Sequence, residues 1–563
     1  MEASPDVSQS SIEEADLVVE NSHSSPQIMK LSAEGSYIEE SWQHYQQVLD
    51  INRHQETFEI SQVFGFVAYI YEKIRATVEN KQERVLRRFA IERALSRPDM
   101  AVKNNQQKAE RLIKELTWSR FLPNNYVTQY KYNWVVEALD KYTQLYQETL
   151  QCHPNYDDRF LDEWLREVES TEIEEILVPA YTRRHLVPTL FLWLQTKFVW
   201  KINPPIDDNL RDTQLFIAAH RALAKSDRPI LKFYLFKLFY PDWEELDTLD
   251  IPTFANQMPE TIEQIENLID FKNNNQFFRF VQRNSAPFIF LEALMQKKDA
   301  VHILKDKTRF DQTIRKIAGE KYARIKKDIR KGIVNSILYI FATKVVIAFL
   351  IEYPYEQYIL GEIHWSPILI NMTLPPALMF VMGLTITAPK SDNTARVIEK
   401  LHQIIYQKDQ PDKPYNASIN LNSATKRWSL VFTLIWAYLF VMFSMALFYF
   451  LMEVMHFNPV SAGLFFVFLS LVLLFGFRLR WQAQELLVAK PQQNIFVHLI
   501  SMVSIPFINM GLWLSASFSK INVITFVFDK LIDSPLKTSV NSAEEWTNYL
   551  KDRQEEVVEI PQH

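Results

Sequence analysis

The sequence predicts an all-α protein, with a large cytoplasmic helical domain over residues 39–331 and a small polytopic membrane domain over residues 332–533. Three observations carry this prediction. The chain of 563 residues contains only 9 glycines, where average usage near 7% would supply roughly 40. Sheets and nucleotide-binding folds need glycine at hairpins, phosphate loops and strand-to-helix elbows, where φ turns positive. Apolar residues recur at spacings of three and four through most of the chain before Lys331, the period of a helix face. Beyond Ile333 they run together in stretches long enough to cross a bilayer.

The same scarcity of glycine excludes function classes. No GxxxxGK[ST], GxGxxG or GxSxG occurs, which disfavours P-loop hydrolysis, Rossmann oxidoreduction and the usual serine hydrolase elbow. Cys152 is the only cysteine, so no intrachain disulfide, CxxC pair or cysteine-rich zinc knuckle forms. Net charge is −6, too small at this length to draw nucleic acid. Nothing in the sequence calls for a cofactor.

Residues 1–38 are rich in Ser, Glu and Asp, with too little apolar surface to bury, and read as a disordered tail. They lack the basic and apolar regions of a secretory signal, so the N-terminus is expected in the cytoplasm. Val63, Val67, Ile70, Ile74 and Val78 align on one helical face. "YVTQYKYNWVVEALDKYTQLY" carries rings at helical spacing, a core pattern rather than a base-stacking platform. The acidic run Asp157 to Leu177 interleaves Phe160, Leu161, Trp164 and Val168, so an amphipathic helix with its acids facing water is expected. "LVPTLFLWLQTKFVW", Leu186 to Trp200, is too short to span and holds Gln195 and Lys197, which makes it a buried core helix.

Four segments are apolar and long enough to span, about 333–351, 366–387, 428–452 and 460–477. A helix of 19 residues covers ~28 Å, close to the hydrocarbon thickness. Lys and Arg crowd the segment before the first span, the one between the second and third, and the one after the fourth, whereas "EYPYEQYILGEIHW" and "EVMHFNP" contain none. The positive-inside rule puts the basic segments in the cytoplasm and the two short loops outside. Ile314, Ala318, Tyr322, Ile325, Ile329 and Ile333 share one face of the basic approach, so one helix is expected to run from the soluble body into the bilayer. Arg324, Lys326, Lys327, Arg330 and Lys331 on that helix are placed to meet anionic lipid head groups. Residues 494–533 are too long for one span and too interrupted for two; Lys520, Lys530 and Lys537 favour a re-entrant hairpin, or a short helix followed by an interfacial one, with the C-terminus inside. Residues 534–563 read as a short soluble helix and a frayed end.

The stretches "TKVVIAFLIEYPYEQYILGEIHWSPILINMTLPPALMF" and "FVFDKLIDSPLKTSVNSAEEWTNYL", little more than a tenth of the chain, resemble multispanning membrane proteins of reduced-genome, candidate-phyla bacteria. That family has no assigned activity. The resemblance implies a bacterial membrane protein and carries over no functional residue.

Lys344 lies almost at the middle of the first span, where an ammonium group costs about 2.5–3.5 kcal/mol unless it snorkels or finds a partner. Pro375 and Pro376 in the second span release the carbonyls of Asn371 and Met372, because each proline lacks an amide donor and crowds the carbonyl four residues back. Docking of Lys344 on this broken turn, helped by the Asn371 side chain, is the expected polar clasp. Intramembrane charge and broken helices also mark transport pathways, but the four spans as drawn hold no carboxylate near mid-membrane. Glu362 and His364 in the first outer loop, with Glu453 and His456 at the end of the third span, form a weaker candidate for a metal site. The expected role is a non-enzymatic membrane protein whose helical domain binds a protein partner. Transport through the Lys344 and Pro375-Pro376 region, or lipid modification by scattered residues, are the alternatives.

Overall fold

The computed structural model describes residues 30–53, 57, 83–101, 104–241, 243, 251–361, 363, 365–407, 414–421, 426–488 and 495–520. The helical face from Val63 to Val78, most of the acidic tail and everything beyond Lys520 lie outside these residues. The described chain is all-α apart from two short strands.

The body begins with α1 (Ala33–Arg53), so part of the expected disordered tail is helix. Ile38 is fully buried. Gly35 permits this, since a Cβ there would stand 2.3 Å from the carbonyl oxygen of Ile405. Then follow α2 (Glu83–Leu95), α3 (Asn105–Trp118), α4 (Gln129–Cys152) and α5 (Asp158–Leu177). A π turn (Thr182–Leu186) leads into α6 (Val187–Lys197), and the chain goes on through α7 (Asp208–Leu223), α8 (Arg228–Phe239), α9 (Ile251–Ile269) and α10 (Asn274–Met295). Asn104, Thr128, Asp157 and Asp227 cap α3, α4, α5 and α8 by accepting first-turn amide hydrogens, the role for which short polar side chains are preferred there.

The core helix expected to reach Trp200 stops at Lys197, and Phe198–Asn203 forms strand β1. Its partner is β2 (Tyr415–Asn420), paired in parallel from Phe198↔Tyr415 to Asn203↔Asn420. This pairing comes from the segment between the second and third spans.

The approach helix is continuous, as its single apolar face predicts: α11 runs 41 residues, Lys307–Ile347, ~60 Å at 1.5 Å per residue. Ile314 and Ala318 are buried in the body's largest core cluster, with Tyr322 and Ile325 against it. Together with α12 (Trp365–Leu384), α14 (Lys426–Glu453) and α15 (Pro459–Gln484), α11 makes four helices, among the described residues, that are long and apolar enough to cross a membrane. Most large side chains of α14 are exposed, Leu434 and Tyr438 by more than half, the pattern of a helix facing lipid.

The expected border between body and membrane domain does not hold as a packing border. α13 (Ser391–Ile405), between the second and third spans, sends Val397, Ile398, Leu401, Ile404 and Ile405 into the same core as α6, α7 and α10. Asn393 joins three elements: its amide donates to Tyr322 Oη at 2.9 Å and to the carbonyl of Leu486 at 2.7 Å, and its carbonyl accepts from Val488 N at 3.0 Å. Lys225 of the body pairs with Glu485 at 2.5 Å. All three basic segments therefore meet on one side of the spanning helices.

α16 (Ile495–Lys520) is a single helix with Pro506 inside it, so no hairpin turn falls within those residues. It lies on α15, where a Cβ on Gly511 would be 2.6 Å from the carbonyl oxygen of Ser470. Small residues allow such backbone approach between apolar helices.

Candidate functional site: a buried ion pair among the membrane helices

The apolar segment carrying Lys344 does not end where its hydropathy falls. After α11 the chain stays helical through a π turn (Ala348–Glu352), a short α turn (Tyr353–Tyr355) and a second π turn (Glu356–Leu360). Ile340, Lys344, Ala348, Glu352 and Glu356 are all buried, every fourth residue. In a regular α-helix each four-residue step overshoots a full turn by roughly 40°, so four steps would swing Glu356 about 160° out of line. The wider π turns absorb that drift and keep the carboxylates facing the bundle.

Lys344 and Glu352 are both 0% exposed, with Nζ 2.5 Å from Oε1. Asn371 of α12, also fully buried, donates one amide hydrogen to the same Oε1 at 2.8 Å and its other to the carbonyl of Ser461 at 3.1 Å. The ring of Phe468 lies 5.0 Å from the ammonium, where its negative face favours a cation. One layer outward, Glu356 accepts from the Asn458 side chain at 3.0 Å, and Asn458 caps α15 through the amide of Ser461. Three spanning helices are thus tied together on their apolar interior.

Lys344 and Asn371 meet, but on a different acceptor from the one expected. The ammonium bonds the Glu352 carboxylate rather than the carbonyls of Asn371 and Met372. Pro375 is buried on the Asn371 face, whereas Met372 and Pro376 are half-buried beside it. Hydropathy puts Glu352 at the start of the outer loop; its place inside the bundle corrects the expectation that the spans lack an interior carboxylate. The physical reason is that hydropathy scores each residue alone and ends the span at an acid. A carboxylate paired with an ammonium and hydrogen-bonded avoids the far larger cost of an uncompensated buried charge and can be carried into the interior. A spacing of eight in a regular helix places Glu352 about 80° from Lys344, so only the π turn, which no local pattern announces, brings the two onto one face.

The five head-group candidates, Arg324, Lys326, Lys327, Arg330 and Lys331, are all exposed on α11. Glu453 and His456 are exposed at the far end of α14, and Glu362 and His364 lie outside the described residues. Among the described residues no group of three or more His, Cys, Asp or Glu is placed to hold a metal ion.

A second charged interior lies in the body, where all acids of α5 had been expected to face water. Its first turns do so, but Glu172, Glu174 and Glu175 are buried. Glu172 accepts from Lys141 at 3.2 Å, Tyr142 at 2.7 Å and the Trp243 indole at 2.8 Å. Glu174 pairs with Arg87 at 2.9 Å and with Arg183, and Glu175 with Arg183 at 2.6 Å and Tyr234 at 3.1 Å. Burial, reinforced by Glu172, holds the Tyr142 hydroxyl protonated well beyond the usual phenol range. A cavity of about 390 Å³ opens beside this network, walled in part by Glu175, Arg183, His220 and Tyr234. Burial, helped by Arg183, pushes His220 down to about 3 and keeps it neutral.

Comparison with family models, curated proteins and solved structures gives no match. The functional reading rests on geometry and chemistry.

Proposed function

We propose that the protein is a membrane-anchored interaction platform, a helical body held at the inner face of the cytoplasmic membrane so that a protein partner docks on it. The observation that carries this reading is the shared core. α11, α13 and β2, which lead into or connect the spans, pack with the body's own helices, so the body has a fixed orientation to the bilayer. The exposed cations of α11, Arg324 to Lys331, suit contact with anionic head groups, at about 1 kcal/mol each. A partner surface is supported by Tyr130 and Trp134, their ring centroids 4.4 Å apart with the planes tilted by 46°, yet 45% and 42% exposed, the residue types that anchor interfaces. Affinity purification in mild detergent tests this. A stoichiometric companion that is lost in Tyr130→Glu/Trp134→Glu supports the platform; a protein isolated alone, with the variant unchanged in cells, defeats it.

Transport is the second reading, favoured by one observation, the Lys344–Glu352 pair beside the Pro375-Pro376 helix. Flux into liposomes by the isolated protein, abolished by Glu352→Gln, would establish it in place of the first.

A further inference from the structure

The π turn at Thr182–Leu186 sets two successive arginines against one acid. Glu175 Oε1 faces Arg183 Nε at 2.6 Å and accepts from the Tyr234 hydroxyl at 3.1 Å, while Oε2 accepts from Arg184 Nε at 3.4 Å and from the amide of Ala180 at 3.5 Å. Two groups on each oxygen leave this carboxylate little to offer a ligand cation. Single π turns recur at functional sites, and this one borders the cavity of about 390 Å³, which falls in the size range of small-molecule sites. Among the described residues that line the cavity, Glu175 is the one acid, against the three bases Arg183, Arg184 and Lys237. Much of the remaining wall is aromatic: the Lys237 ammonium stands 5.7 Å from the Phe233 ring, and Phe216 packs edge-on to His220 with centroids 4.6 Å apart. His220 lines the same cavity, is 0% exposed, and leaves Nε2 without a hydrogen-bond partner, while Nδ1 faces the Ser226 hydroxyl at 3.4 Å. Burial keeps this imidazole uncharged, so Nε2 is a neutral polar atom of a kind that folded proteins seldom leave unpaired.

We propose that this cavity binds a small aromatic anion, a carboxylate or a phosphate monoester carried on a flat ring. Its head group lies toward the three bases, where guanidinium N–H pairs match either oxyanion, and its ring lies against Phe216 and Phe233. With the Ser226 hydroxyl donating to Nδ1, His220 carries its proton on Nε2 and donates it to the head group. A cationic ligand would meet three bases and a spent acid, and a purely apolar one would leave Nε2 unpaired. The inference concerns ligand binding in the body and does not depend on the platform reading, whose test is partner capture.

Isothermal titration of the full chain in an uncharged detergent, blanked against micelles alone, is the test, with naphthoate, naphthyl phosphate and naphthylmethanol as probes. The wild type is expected to take up at least one of the two anions saturably, about tenfold or more tightly than the alcohol, and the tighter anion identifies the head group. His220→Phe keeps a ring and removes Nε2, and Lys237→Gln removes one charge from a half-buried position; each should weaken binding by about tenfold. Leu238→Trp, at a lining position that is 52% exposed and so tolerant of substitution, should fill the cavity and abolish binding. Failure of the wild type to bind either anion at concentrations up to about 1 mM overturns the proposal, and so does equal binding of the alcohol. Anion binding that is unchanged in Lys237→Gln and Leu238→Trp places the ligand elsewhere and overturns it as well.

Discussion

Removing one member of the Lys344–Glu352 pair should cost far more than removing both. Each side chain is fully buried, and their atoms stand 2.5 Å apart. Lys344→Met leaves a carboxylate whose remaining protein donor is the Asn371 amide, and Glu352→Gln leaves an ammonium with the Phe468 ring and an uncharged amide. An uncompensated buried charge costs about 3–5 kcal/mol, whereas replacing a whole buried pair by apolar or neutral groups is often close to neutral. Each single variant, assayed by thermal unfolding at neutral pH in N-methylglucamine chloride, should lose about 3–5 kcal/mol, a fall on the order of 10 °C. The double variant should come within about 2 kcal/mol of the wild type, so against singles of about 3 kcal/mol or more each the cycle shows a favourable coupling of at least about 4 kcal/mol. A double variant as unstable as the sum of the singles would show that the two groups do not act as a pair.

His220 sets a pH dependence in the body. It is pushed down to about 3 from an ordinary value near 6.5, so between those values the unfolded chain binds a proton that the folded one refuses. Stability is then lost as pH falls through this window, and at pH 5 the wild type should have lost about 2 kcal/mol more than His220→Gln relative to pH 7, read from denaturant melts at both pH values. Glu172→Ala strands the ammonium of Lys141 and the Trp243 indole in the interior and should cost about 3 kcal/mol or more, while Glu163→Ala, on the exposed part of α5, should stay within about 0.5 kcal/mol in the same melts. Gly511→Ala forces α16 away from the Ser470 carbonyl and should lower stability by about 1–3 kcal/mol. Gly463→Ala, with no atom within 4 Å of the new Cβ, is the neutral control.

Local composition was enough to establish the helical class, the four long apolar helices and the continuous approach helix. Scarce glycine and a 3.6-residue period act within a few turns of chain, and the apolar length needed to cross lipid is a property of one segment. Lys344 and Asn371 could be singled out the same way, as polar groups where an apolar one is cheaper. Their acceptor could not. Glu352 reads as the end of a span until the π turns rotate it back toward α12 and α15, and those turns are set by packing against the neighbouring helices.

The tertiary structure alone decided which charges are interior and which segments belong together. Glu163 and Glu172 look alike along α5, but Glu172 faces Lys141 and Tyr142 from the helix packed beside it. α13 and β2 lie in sequence between two spans, yet they complete the body's core and pair with β1, more than two hundred residues earlier. Such contacts depend on which surfaces meet after the chain has folded, and no local spacing encodes them.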